Sequence, residues 1–136
     1  MPLHHVEIWV PDLAGATSRW GWLLAHLGWQ PYQDWPQGRS WRDPASGAYV
    51  VFEQSPAMPP GATHRRTYPG LNHLAVSAAS RQQVDEIVLD APAHGWTLLF
   101  AERHPFAGGP DHYAAYLEDI DGFEVEVVAG GVKSTP

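Results

Sequence analysis

A chain that repeats its own element order within 136 residues folds as two small units of one kind. The stretches HVEIWVPDL from His5 and HLAVSAAS from His73 begin those units alike, and a glutamate-ending strand closes each. In the first unit Val6, Ile8 and Val10 alternate with His5, Glu7 and Trp9, the period of a half-buried strand over Leu3 to Val10. A helix over Ala14 to Leu27 follows, with Trp20, Leu23, Leu24 and Leu27 at helical spacing and Gly28 as its stop. Trp29 to Asp34, Arg39 to Asp43 and Ala48 to Gln54 read as three strands punctuated by Pro36, Gly38, Pro44 and Gly47. The order is β-α-β-β-β.

The same order recurs after a proline-rich, aperiodic connection. Leu71 to Ala78 is a strand, Ser80 to Ala93 a helix, and Trp96 to Phe100, His112 to Glu118 and Phe123 to Val128 three more strands. The expected organisation is one domain over 1–136, with module one at 1–55, a linker at 56–70 and module two at 71–129. A four-stranded sheet with one helix leaves its other face uncovered. The fold class expected is therefore α+β: two βαβββ modules whose curved mixed sheets pair into a barrel-like cavity, within the chain or across a dimer.

Composition narrows the function. A formal charge of −7 with eight scattered Lys and Arg excludes a nucleic-acid or anionic-membrane footprint. No apolar run approaches the roughly 20 residues of a membrane span, and Met1 to Trp9 lacks the pattern of a targeting peptide. The expectation is a cytoplasmic protein with a small-molecule substrate. With no cysteine, any metal must be held by nitrogen and oxygen. The unpaired sheet edges and the seven tryptophans point to a homodimer.

Strand alternation selects the residues that look into the cavity. Val6, Ile8, Val50, Phe52, Leu74, Val76, Val125 and Val127 form the helix-facing sets, which turns His5, Glu7, Glu53, His73, Glu124 and Glu126 the other way. One histidine and one glutamate from each half, His5, Glu53, His73 and Glu126, make a sulfur-free donor set for a divalent ion. Without a cation, carboxylates sharing such a site repel. Trp9 and Trp35, together with His104, His112 and Tyr113 around the glycine-containing loop Glu102–Tyr113, are the expected substrate contacts.

These residues resemble the glyoxalase I, bleomycin-resistance and extradiol dioxygenase superfamily, also called vicinal oxygen chelate. The resemblance rests on LHHVEIWVPDL, the Leu27-Gly28 helix end, LNHLAV and the closing EDIDGFEVEVV, and it covers residues 3–129. The turn Asp119-Ile120-Asp121-Gly122 lacks the family's proline but keeps its glycine. By that resemblance Glu126 is a metal ligand, with His5, Glu53 and His73 at the other ligand positions, and the ion is Zn, Ni, Co, Mn or Fe. The activity implied is that of a lyase, isomerase or epimerase in which the ion holds two substrate oxygens and Glu53, Glu126 or Glu7 serves as base. No basic cluster for glutathione is evident. The alternatives are a bleomycin-resistance type of binding protein, which the aromatic first half favours, and an extradiol-type dioxygenase, which uses only His5, His73 and Glu126.

Overall fold

The computed structural model describes residues 3–130; the ends of the expected domain, 1–2 and 131–136, lie outside the described residues. Two compact units meet in sequence between His64 and Arg65, inside the expected linker. The first contains β1 (His5–Trp9), α1 (Leu13–His26), β2 (Gln30–Trp35), β3 (Gly38–Arg42) and β4 (Tyr49–Glu53). The second contains β5 (His73–Ala78), α2 (Arg81–Asp90), β6 (Trp96–Leu99), β7 (Ala114–Asp119) and β8 (Glu124–Ala129). The expected βαβββ order holds in both. Each sheet is mixed and open, ordered β1-β4-β3-β2 in the first unit and β5-β8-β7-β6 in the second.

Local chemistry sets the element ends. The Leu13 N–H opening α1 donates to the side-chain carbonyl of Gln54, 2.9 Å away, so the residue after β4 caps the helix. Ser80 caps α2 by accepting from the Gln83 N–H at 3.1 Å, and the Gln83 side chain accepts in return from Ala79. The helix expected to reach Ala93 stops at Asp90 and continues as a 3₁₀ turn over Ala91–His94. Pro92 lacks the N–H that another α-helical turn would need.

Each helix packs on one face of its own sheet. In the first unit Trp20 of α1 lies 4.9 Å from Phe52 between ring centroids, and Trp41 closes on the same ring at 5.7 Å. Ile8, Leu23, Leu24 and Val50 complete that core. In the second, Val76, Val84, Ile87, Trp96, Leu117, Val125 and Val127 are buried in the same way. The remaining sheet faces carry the polar side chains. Phe52→Ala opens a cavity under two indoles and is expected to cost about 3–5 kcal/mol of stability, read from urea unfolding monitored by tryptophan fluorescence.

Candidate functional site

The polar face of the second sheet concentrates the chemistry. Its register pairs His73 with Glu124 and Ala75 with Glu126 across β5 and β8, and Tyr116 with Glu126 and Glu118 with Glu124 across β7 and β8. Paired residues project to the same side, so His73, Glu124, Glu126, Tyr116 and Glu118 share a surface. The turn from β7 to β8 holds this register without proline. Asp119 Oδ1 accepts the N–H groups of Asp121 and Phe123, both at 3.0 Å, and Gly122 takes the left-handed φ of 87° that the turn demands.

Glu126 is the centre of the face. It is only 6% exposed, and its two carboxylate oxygens meet two imidazoles: His73 Nε2 lies 3.1 Å from Oε1, and His112 Nε2 contacts Oε2. Glu124, equally buried, accepts from Arg66 Nη1 at 3.2 Å, and the same guanidinium reaches Glu118 at 2.9 Å through Nε. Those hydrogen bonds and charges, Glu118 foremost, raise the Arg66 pKa, so the cation is permanent. Tyr116 is raised above the ordinary tyrosine value chiefly by burial and then by the charge of Glu126 and a hydrogen bond to it. A cleft of about 310 Å³ opens here, walled by Arg66, Asn72, His73, Phe100, Tyr116 and Glu124.

The first sheet carries its expected residues differently. His5 stacks flat on Tyr49, centroids 4.7 Å apart, and meets His4 at 2.8 Å. Glu7 accepts from the Trp9 indole at 2.7 Å. Trp35 lies over Gly38, where an added Cβ would sit 2.1 Å from the indole. Parallel pairing sets His5 against Tyr49 and Glu53 against Trp9. The histidine and glutamate are thus offset by four residues, about 13 Å along the strands. The β4 residue whose register matches that of Glu126 is Val51, paired with Glu7 as Glu126 is with Ala75.

That offset bears on the metal expected from the sequence. Imidazole and carboxylate donors suit a borderline divalent ion in kind. Among the described residues no group of three or more His, Asp or Glu side chains is arranged to hold one. Glu53 and His5 stand at opposite ends of their strands, and Glu126 is engaged by hydrogen bonds to histidine.

Residues 4–116 match the family model of the glyoxalase/bleomycin resistance protein/dioxygenase superfamily. The chain belongs to that superfamily. It is 42% identical over 127 residues, 93% of its length and 98% of the other, to the uncharacterized protein YqjT of Bacillus subtilis (strain 168). A crystal structure from Bacillus halodurans, provisionally named a glyoxalase, superposes with a TM-score of 0.86 at 44% identity, covering 94% of this chain and 95% of that one. A glyoxalase/bleomycin resistance protein from Albidiferax ferrireducens T118 does so at 0.73 and 26% identity, covering 94% and 98%.

Within this superfamily fold, the loop before β7 divides its expected substrate contacts. His112 reaches Glu126, while Tyr113 donates to Asp85 of α2 at 2.6 Å and lies under the Arg81 guanidinium at 4.7 Å. His104 sits in the turn built on the Phe100 carbonyl, its N–H 3.0 Å from that oxygen. Sequence reasoning passed over Tyr116, although it occupies the same alternation phase as Glu118, and over Arg66 and Asn72, which lay in or beside an aperiodic segment. The raised Tyr116 pKa has a definite sign in stability. The neutral phenol's contribution is complete below the ordinary tyrosine range and is lost as pH rises through the raised value. Tyr116→Phe should therefore flatten the fall of the urea midpoint on the alkaline side, and Glu126→Gln should bring the phenolate absorbance transition to lower pH.

Proposed function

We propose that this superfamily member is a lyase, isomerase or epimerase that moves a proton on a small oxygenated substrate bound at the polar face of its second sheet. The observation that carries the reading is the buried Glu126 carboxylate with an imidazole at each oxygen. The flanking rings fix the direction of a carboxylate placed to accept a proton. The adjoining cleft stands at the small end of ligand pockets, which suits a molecule of few heavy atoms, such as an α-hydroxy or α-keto compound.

In this reading Glu126 removes a proton from the carbon beside a carbonyl. The C–H electron pair enters the enolate, whose oxygen accepts a hydrogen bond from the neutral Tyr116 hydroxyl. Return of the proton gives isomerisation or epimerisation, and expulsion of a group from the neighbouring carbon gives a lyase. Trp20, Trp41 and Trp96 are buried within their own units, which removes part of the aromatic argument for an aromatic-ligand binder and for a homodimer.

The test is solvent exchange. Full-length protein in D₂O is incubated with hydroxyacetone, glycolaldehyde and lactate, and deuterium at the carbon bearing the hydroxyl is followed by NMR. Exchange is expected with at least one of these probes, and Glu126→Gln should slow it by on the order of a hundredfold, the contribution of a positioned base. A probe that binds the wild-type cleft without exchanging would show a binding protein instead.

A further inference from the structure

Phe100, which follows β6, holds a backbone conformation that aromatic residues rarely take. Its φ of 55° lies in the left-handed region, where a bulky side chain is strained and glycine is the usual occupant. Strain of this kind persists only where the surroundings hold it, and it gathers at ligand sites. Here it turns the chain sharply. The Phe100 carbonyl accepts the N–H groups of Arg103 and His104, at 2.9 and 3.0 Å, and the turn so closed carries Arg103 back over the ring. The guanidinium carbon stands 5.1 Å from the Phe100 centroid, a cation–π distance. The same ring meets Tyr116 edge-on at 5.6 Å. Phe100, Arg103 and Tyr116 all wall the cleft of about 310 Å³.

Two guanidiniums therefore face this cleft, and they are committed differently. Arg66 is bound to Glu118 at 2.9 Å and to Glu124 at 3.2 Å. Arg103 Nε is 3.6 Å from Glu102 Oε1, beyond hydrogen-bond reach, and with side chains 58% and 74% exposed that pair contributes little in water. The donors of Arg103 are open to a ligand. We propose that Arg103, seated on the Phe100 ring, binds a carboxylate of the substrate, so that the cleft takes a small hydroxy or keto acid in preference to a neutral compound. A guanidinium offers two parallel N–H groups at the spacing of two carboxylate oxygens, which an ammonium cannot. Phe100 lies between Arg103 and Tyr116, and Tyr116 is paired in register with Glu126. A carboxylate held at Arg103 thus leaves the rest of the molecule to extend along the ring toward Tyr116.

The inference rests on the proposed function for its site, and binding tests it apart from the reaction. Full-length ¹⁵N-labelled protein is titrated with lactate and with propane-1,2-diol, which has a hydroxymethyl group in place of the carboxylate, and amide shifts give each Kd. Lactate is expected to bind about tenfold more tightly or better, with the Arg103 Nε–H signal among those that move. Arg103→Gln should weaken lactate by about ten- to a hundredfold, the effect of losing hydrogen bonds to a charged group, and leave the diol within about twofold. Arg103→Lys, which keeps the charge without the fork, should recover only part of that loss. Lactate bound no better than the diol in wild type, or not at all, would overturn the inference, as would an unmoved lactate Kd in Arg103→Gln. Equal weakening of both probes would overturn it too, as the mark of a residue that merely shapes the cleft. Lactate binding that depends on Arg103 in a protein with no deuterium exchange would uphold the carboxylate site and overturn the proposed reaction instead.

Discussion

A carboxylate buried without compensation costs several kcal/mol, and this fold answers that cost at Glu126 with two imidazoles rather than with a lysine or arginine. A histidine ring nitrogen that carries a proton donates to the carboxylate, and a neutral ring still has one such nitrogen, so the carboxylate can be held in place without a permanent cation. The neighbouring Glu124 is treated in the opposite way. Arg66 binds it and Glu118 together, and a guanidinium cannot be deprotonated. Two glutamates two residues apart on one strand thus have different partners, one a guanidinium and the other a pair of imidazoles.

The two modules have the same element order and pairing pattern but differ in what they place on the polar face. Where the second sheet sets Glu126 and Glu124 behind His73, the first sets Val51 and Tyr49 behind His5. The result in the first module is a stack of aromatic rings, His4, His5, Tyr49 and Tyr32, with Arg42 over Tyr32. The two repeats share a fold while Val51 stands where Glu126 does.

The fold was legible because β-α-β-β-β leaves a plain trace: period-two alternation in the strands, helical spacing in α1 and α2, glycine at the turns. The helix-facing residues followed from the same alternation, and so did the placement of His73 and Glu126 on one surface. Glu53 shows where that reasoning ends. Alternation gives the face but not the position along the strand, and only register separates a glutamate beside a histidine from one four residues away. His112 and Tyr113 are adjacent in sequence and serve opposite faces of the unit, because successive residues entering a strand point apart. Asn72 was invisible for another reason: its side-chain amide is held by the backbone carbonyl of Arg66, a contact which no residue type advertises.

A crystal structure of the full chain soaked with hydroxyacetone tests the account at its centre. The ligand is expected in the second module's cleft, with an oxygen within hydrogen-bond distance of Tyr116 Oη and its hydroxyl-bearing carbon facing Glu126. Density for the ligand on the aromatic face of the first sheet, with Glu126 still enclosed by His73 and His112 and touching nothing else, would contradict it.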